Sequence, residues 1–299
     1  MNATLVVLAA GMGSRFGGLK QVAPLGKHGE IIADFSVYDA MLAGFNKVVY
    51  IIKAEMEELF VETVVNRVKG SGIKTELVFQ DMDDLPGGLK APATREKPWG
   101  TSHALWTARN VVNEPFMVIN ADDFYGRAVY KSIYDFLTDN ANGDHDYSMG
   151  GYHLENTVST YGSVSRGVCN VKDGFLVDIE EITAIEKRHD GIGYTKDGSF
   201  KYLPGSAVVS MNTFGFKPSI FAELEKGFAH FLTENLQSPK AEYYLPLTIQ
   251  ELLSTGKATM KVLPALDTWY GFTYQEDKEI VQKAVWEMIE QGKYPEKLF

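Results

Sequence analysis

A glycine-rich segment that carries two cations follows the first apolar run of the chain. Residues 8–21 read LAAGMGSRFGGLKQ, with four glycines and the basic residues Arg15 and Lys20. Because glycine lacks a Cβ and tolerates positive φ, the backbone N–H groups of such a segment can approach an anion closely. The two cations would offset the charge of a polyphosphate. The segment therefore predicts a phosphate-binding loop, and the alternative is a tight turn with two solvated basic residues.

Two familiar phosphate loops do not fit this spacing. The dinucleotide fingerprint GxGxxG requires a third glycine at position 16, where the chain has Phe16. The Walker A motif ends in GK followed by Ser or Thr, and the sequence contains no such tripeptide. The segment is therefore expected to bind phosphate in another way.

A pair of carboxylates at the end of an apolar strand is a second candidate for chemistry. Residues 116–123 read FMVINADD, so Asp122 and Asp123 come directly after the strand. In an open parallel sheet, ligands bind beyond the carboxyl ends of the strands, where the glycine-rich segment also opens. Mg²⁺ prefers such oxygen ligands. The pair predicts a metal site, and a solvated turn after the strand is the alternative.

These segments lie in an alternating pattern of strands and helices. Strands are predicted at 4–9, 47–52, 74–79 and 116–120, and helices at 32–43, 55–69 and 102–112. This alternation predicts an α/β fold with a Rossmann-like mixed, mainly parallel open sheet and helices on both faces.

The second half of the chain has a different pattern. After about residue 146 the strand candidates become shorter and are separated by glycine-rich turns, and helices follow at 219–232 and 247–255. A last helix is predicted at 275–291, where apolar residues recur at helical spacing, and we expect it to pack on the body of the protein.

No linker separates the two halves. The sequence has no tract rich in proline and serine between them, so we expect one domain over 1–299 with lobes at about 1–145 and 146–299. No hexapeptide repeat occurs, so no β-helix extension is expected. Residues 81–99 form the longest stretch without periodicity and predict a lid or binding loop, with a plain surface loop as the alternative.

Composition excludes several classes of function. The 299 residues carry a formal net charge of −10, which argues against nucleic acid or an anionic membrane as a partner. The single cysteine, Cys169, cannot form an internal disulfide and fits a reducing compartment. The apolar start lacks a basic region before it and predicts a core strand rather than a signal peptide. We therefore expect a cytoplasmic protein.

The order of these motifs resembles the nucleotidyltransferase superfamily that makes sugar nucleotides. LAAGxGxR, a glycine stretch, a lysine and Pro24-Leu25 carry the resemblance, and further motifs follow in order along nearly the whole chain. The resemblance implies a GT-A-like fold and transfer of a nucleotidyl group from a nucleoside triphosphate to a sugar 1-phosphate, with release of pyrophosphate.

The same resemblance implies roles for particular residues. It makes Arg15, Lys20 and Asp122 catalytic. Asp122 would bind Mg²⁺, and Asp123 is the alternative ligand. The implied nucleotide-binding residues are Leu8, Ala10, Gly11, Gly13, Gln80, Gly100 and Thr101. The implied acceptor-binding residues are Gly162, Glu180, Glu181 and Asn212.

The chain departs from the family pattern at two positions. Ile182 follows the glutamate pair where the family commonly has a lysine that grips the sugar phosphate, so that clamp is unassigned, with Lys187 and Arg188 as candidates. Gly271 stands where the family has a second metal-binding aspartate, and Asp267 is the candidate to replace it.

Two alternatives follow from these departures. One keeps the chemistry and makes the chain a cytidylyltransferase acting on phosphocholine or a polyol phosphate. The other is a non-catalytic nucleotide-sugar-binding regulatory protein. The expected partners are a nucleoside triphosphate and a phosphorylated small molecule; the base, the sugar and the oligomeric state stay open, and a homo-oligomer is one option.

Overall fold

The computed structural model describes residues 1–11, 23–159, 161–271 and 277–299. The strands are β1 (Thr4–Leu8), β2 (Lys47–Ile52), β3 (Lys74–Phe79), β4 (Phe116–Asn120), β5 (Asp123–Phe124), β6 (Asp146–His153), β7 (Val164–Lys172), β8 (Phe175–Arg188), β9 (Gly191–Lys196), β10 (Ser199–Leu203), β11 (Val208–Phe216), β12 (Thr259–Pro264) and β13 (Tyr270–Gly271). The helices are α1 (Ile32–Ala43), α2 (Glu57–Thr63), α3 (Thr101–Thr107), α4 (Arg127–Thr138), α5 (Ile220–Asn235), α6 (Leu245–Ser254) and α7 (Asp277–Glu290).

The first four strands form a parallel sheet in the order β4-β1-β2-β3. Successive residues of a strand face opposite sides, so Leu5 and Val7 of β1 pack on one helical layer and Val6 on the other. Helices α1, α2 and α4 cover the first side, and α3, α5 and α6 cover the second. The predicted α/β architecture with helices on both faces is confirmed.

The prediction of a mainly parallel open sheet is wrong for the second half of the chain. There β7, β8, β12, β6 and β11 each pair with the next, and β11 pairs back to β7, so these strands close into a ring. Only the pairing of β12 with β6 is parallel within this ring.

Tight turns are the physical reason for the antiparallel pairing of β7 with β8 and of β9 with β10. Asp173 and Gly174 both have positive φ between β7 and β8, and Asp197 and Gly198 do so between β9 and β10. An Asp-Gly turn of this kind joins adjacent antiparallel strands, whereas parallel pairing needs a long crossover.

Helix α2 is shorter than the sequence pattern predicts. The expected helix at 55–69 becomes Glu57–Thr63 flanked by short 3₁₀ turns, and Val64 leaves helical geometry at φ −122° and ψ −59°. The run Thr63, Val64 and Val65 is β-branched, which restricts side-chain rotamers in a helix.

Helix α7 packs on the body through Val281, Val285 and Ile289, which meet Phe35 and Phe124 in a separate apolar cluster. This confirms the expected packing of the last helix. Within the described ranges, no helix combines the length and apolar character needed to cross a membrane.

Candidate active site

The carboxyl ends of the first four strands gather several predicted site residues at one edge of the sheet. Ala9 N donates to Ile51 O (2.8 Å), and Ala121 N donates to Leu8 O (3.1 Å). Gln80 N donates to Ile52 O (2.8 Å), which holds the residue after β3 at the same edge. Ala10 is buried just beyond β1 and Gly11 is exposed. Gly13, Arg15 and Lys20 lie outside the described residues.

Gln80 contacts Gly100 directly. Its Nε2 donates to Gly100 O (3.1 Å) and lies 3.2 Å from His103 Nδ1, and His103 Nε2 lies 2.9 Å from Asp84 O. Since a carbonyl oxygen only accepts, His103 carries its proton on Nε2, and Nδ1 accepts from Gln80. Burial lowers the pKa of His103 to about 4, so the ring is neutral at pH 7.

Gly100 and Thr101 join this edge to the second half of the chain. Gly100 has φ +98°, and a Cβ there would lie 2.8 Å from the backbone nitrogen of Tyr243, so only glycine fits. Thr101 Oγ1 accepts from Leu245 N (2.9 Å), at the first residue of α6. The start of α3 is therefore fixed against the start of α6.

The 81–99 segment is anchored at several points. Asp84 accepts from both terminal nitrogens of Arg109 at 2.8 Å, and Trp99 Nε1 donates to Met82 O at 3.0 Å. Arg95 is 8 % exposed, lies 3.7 Å from the Trp99 ring centroid, and donates to the carbonyls of Lys97, Pro98, Ser238 and Ala241. These contacts hold the segment against α3 and the connection between α5 and α6. Its role as a lid or binding loop stays a prediction.

The two carboxylates after β4 have different environments. Asp123 is buried, and its Oδ2 accepts from Asn120 Nδ2 (2.9 Å) and lies 3.1 Å from the Tyr125 hydroxyl. Burial and the neighbouring charge of Asp122 raise the pKa of Asp123 to about 7. Asp122 is partly exposed and is the more accessible of the pair.

Tyr125 connects this carboxylate to the second half of the chain. Its hydroxyl accepts from Asn120 N (3.0 Å) and lies 3.1 Å from Met211 O in β11. The next residue, Asn212, has φ +57° at a bulge between Ser210 and Phe214. Asparagine tolerates this left-handed conformation better than most residues.

Gly271 pairs directly with Asp123 across the β5–β13 ribbon. A Cβ on Gly271 would overlap the ring of Trp269 and lie 2.9 Å from Asp123 Oδ1. The Trp269 ring therefore fills the space that a side chain at position 271 needs.

Asp267 lies at the start of α4. Its Oδ2 accepts from Ala128 N (2.8 Å), and it lines a cavity of about 460 Å³ together with Arg127 and Tyr294. Asp122 does not line this cavity. Across the described ranges, no three or more His, Cys, Asp and Glu side chains form a cluster suited to a metal ion. Metal binding by Asp267 stays a prediction.

The glutamate pair lies on β8, opposite β7. Glu181 pairs with Gly167, and Glu180 pairs with Val168. Successive strand residues face opposite sides, and Glu181 Oε2 would lie 3.7 Å from a Cβ on Gly167. Partial burial raises the pKa of Glu181, and the charge of Arg166 opposes this shift. Gly162 is partly buried in the turn before β7.

The family model for nucleotidyl transferases matches residues 4–269. The chain belongs to this family. No match was found among curated proteins.

Solved structures of other nucleotidyltransferases share the fold. The inositol-1-phosphate CTP transferase from T. maritima is 16 % identical, with 94 % of this chain and 95 % of that chain covered and a TM-score of 0.61. A UDP-glucose pyrophosphorylase complexed with UDP-glucose is 17 % identical, with 96 % and 99 % covered and a TM-score of 0.61. At these identities the similarity establishes the α/β nucleotidyltransferase fold.

Sequence reasoning about this nucleotidyltransferase missed Arg166. The residue is 8 % exposed in β7, and its guanidinium lies 4.9 Å from the Trp269 ring centroid. Arg166 acts electrostatically on both Asp123 and Glu181. A signal was present, because strand alternation places Arg166 in the same inward row as the apolar residues Val164 and Val168.

Proposed function

We propose that this chain transfers a nucleotidyl group from a nucleoside triphosphate to a sugar 1-phosphate, forming a nucleoside diphosphate sugar and releasing pyrophosphate. One observation carries the proposal: the carboxyl ends of β1, β3 and β4 meet at one edge, and Tyr125 joins that edge to the bulge of β11 beside Asn212. Membership of the nucleotidyl transferase family supports it. The nucleotide would bind in the lobe formed by residues 1–145 and the acceptor in the lobe formed by 146–299.

The nucleotide side would use the residues around the end of β1. The backbone of Gly11 and Gly13, beside Leu8 and Ala10, would bind phosphate oxygens. Arg15 and Lys20 would offset the charge of the triphosphate. Gln80, Gly100 and Thr101 would lie against the nucleoside.

The residues at the end of β4 fit one Mg²⁺ ion. Asp122 offers a partly exposed carboxylate beside Asp123, whose pKa is raised to about 7 first by burial and then by the charge of Asp122. Magnesium is commonly held by one or two carboxylates together with substrate phosphates, so a dedicated protein cage is not required. When bound, the ion would neutralise charge on the triphosphate. Asp267 would be a second ligand most readily through Oδ1, since Oδ2 accepts a hydrogen bond from Ala128 N at the start of α4.

The reaction needs no nucleophile from the protein. An oxygen of the acceptor phosphate attacks the α-phosphorus in line, and pyrophosphate leaves. A phosphate monoester has a second pKa of about 6 and is already deprotonated at pH 7. The protein therefore contributes orientation and charge neutralisation, with Glu180 or Glu181, Gly162 and Asn212 binding acceptor hydroxyls. The neutral His103 orients Gln80 rather than acting as a base.

A polyol phosphate is the second candidate acceptor. Ile182 replaces the family's lysine, and the fold is shared with an inositol-1-phosphate CTP transferase. In this case CTP would be the nucleotide, and phosphocholine is a further acceptor to test.

The single cysteine fits a reducing compartment, and we assign the activity to the cytoplasm.

A pyrophosphate-release screen tests the proposal. Each of the four nucleoside triphosphates is combined with Mg²⁺ and with glucose 1-phosphate, other sugar 1-phosphates, inositol 1-phosphate or phosphocholine. Release with a sugar 1-phosphate supports the main proposal, and release with CTP and one of the last two acceptors supports the alternative. Saturable nucleotide binding without release in any combination overturns both and favours a regulatory protein.

A further inference from the structure

Arg166 is a buried cation without an ion pair among the residues that the structure describes. Its Nε donates to Thr157 Oγ1 (3.2 Å), its Nη1 to Ser165 O (2.7 Å) and its Nη2 to Thr157 O. All three acceptors are neutral. A buried arginine is ordinarily paired with a carboxylate or fully hydrogen-bonded, because removing its charge from water is costly.

The guanidinium keeps donors available for a ligand. A guanidinium has five N–H groups, and three are used by Thr157 and Ser165. One N–H on Nη1 and one on Nη2 have no acceptor in the described part of the chain. Two N–H groups on one guanidinium suit the oxygens of a phosphate, which arginine binds in a bidentate manner.

The position of Arg166 joins the two halves of the proposed site. Trp269, over which the guanidinium lies, also packs against Gly271, the residue paired with Asp123. On the other side, β7 pairs with β8 so that Arg166 is directly opposite Ile182, the residue after the glutamate pair. Directly opposed residues in an antiparallel pair project from the same face of the sheet. Arg166 therefore places a cation on the same face of the sheet as Ile182, the position at which the family commonly has a lysine.

We propose that Arg166 binds the phosphate group of the acceptor. This inference rests on the proposed function and assigns the phosphate clamp that the sequence left open. It replaces Lys187 and Arg188 as candidates; Arg188 is already paired with Glu186 (2.6 Å).

The charge of Arg166 is maintained in this setting. Burial lowers the pKa of Arg166 to about 10, against the opposing effects of Asp123 and Glu181. The guanidinium is therefore protonated at pH 7.

Titration calorimetry with inorganic phosphate tests the clamp without requiring turnover. We expect Arg166→Gln to weaken phosphate binding about 10-fold to 100-fold, the usual effect of losing hydrogen bonds to a charged group. Arg95→Gln is the matched control, because Arg95 is equally exposed and also lies on a tryptophan. We expect it to leave the phosphate affinity within about threefold.

A rescue variant separates binding from folding. Adding Ile182→Lys to Arg166→Gln places an ammonium group directly opposite position 166, and we expect it to restore phosphate affinity to within about fivefold of the wild type. Circular dichroism checks that each variant is folded. If Arg166→Gln does not fold, Arg166→Lys replaces it, and an acceptor KM unchanged in Arg166→Lys overturns the assignment.

Kinetics distinguish failure of this inference from failure of the proposed function. With the acceptor found in the screen, Arg166→Gln should raise the acceptor KM at least about 10-fold and leave the nucleotide KM within about threefold. A wild type that releases pyrophosphate while Arg166→Gln changes neither the phosphate affinity nor the acceptor KM overturns the inference alone. A wild type that binds phosphate through Arg166 and releases no pyrophosphate overturns the proposed function alone.

Discussion

Among the residues that the structure describes, two buried arginines lie on tryptophan rings, and their surroundings differ. Arg95 lies 3.7 Å from the Trp99 ring centroid and donates to four carbonyls from two segments. Arg166 lies 4.9 Å from Trp269, donates to two residues, and acts on carboxylates in both halves of the candidate site. Arg95 uses four of its five N–H groups within the protein and fixes the 81–99 segment. Arg166 uses three of its five and lies between the two halves of the candidate site.

The comparison predicts that substitutions in the candidate site reduce turnover and that substitutions in the anchored 81–99 segment reduce stability. The following experiments test that separation, from the largest expected effect to the smallest.

Asp122→Ala should lower turnover about 1000-fold, because it removes the carboxylate proposed to hold the divalent ion. Melting temperature should stay within a few degrees of the wild type, since Asp122 is partly exposed. Asp84→Asn is the matched control in the anchored segment, where Asp84 pairs with Arg109. It should lower the melting temperature and leave turnover nearly unchanged, and the reverse pattern would contradict the comparison.

Acid should destabilise the anchored segment through His103. Its pKa is lowered to about 4 in the folded state, so the unfolded chain binds the extra proton between about pH 4 and pH 6.5. The free energy of unfolding therefore has its full value above pH 6.5 and decreases as pH falls to 4. The decrease that is due to His103 is on the order of 3 kcal/mol. Denaturant unfolding of the wild type and His103→Asn across this range measures it. A difference between the two proteins that does not change with pH refutes it.

Arg95→Gln should lower the free energy of unfolding by about 2 kcal/mol, because it removes charge-assisted hydrogen bonds to carbonyls of two segments. The acceptor KM should not change. Urea denaturation measures the change in stability, and steady-state kinetics measure the acceptor KM. An increase in acceptor KM comparable with that of Arg166→Gln would contradict the different roles assigned to the two arginines.

Thr101→Val should have the smallest effect. It removes the acceptor for Leu245 N at the start of α6 and should lower the free energy of unfolding by about 1 kcal/mol. Thr101→Ser retains the hydroxyl and serves as the control. A loss of stability in Thr101→Ser with none in Thr101→Val would show that the methyl group, not the hydrogen bond, matters at this position.

Local patterns predicted the first half of the fold well. The strands β1 to β4 have alternating or continuous apolar residues, and helix α1 begins at Ile32 and ends at Ala43 as its pattern indicates. The positions of Leu8, Gln80 and Asp122 follow because parallel strands present their carboxyl ends at one edge.

The ring of strands and the position of Arg166 depend on long-range pairing, which a local pattern does not specify. The sequence predicted short strands separated by glycine-rich turns, yet the return of β11 to β7 is visible only in the folded chain. Arg166 has no surrounding motif, and its proximity to Trp269 joins residues far apart in sequence. The roles of Arg15 and Lys20 stay predictions from the sequence.

The close fit of the Trp269 ring over Gly271 limits the single substitutions that these two positions accept. An aspartate introduced alone at position 271 would collide with the indole. A smaller residue introduced alone at position 269 would leave a void beneath the guanidinium of Arg166. A carboxylate at position 271 therefore requires a compensating change at position 269.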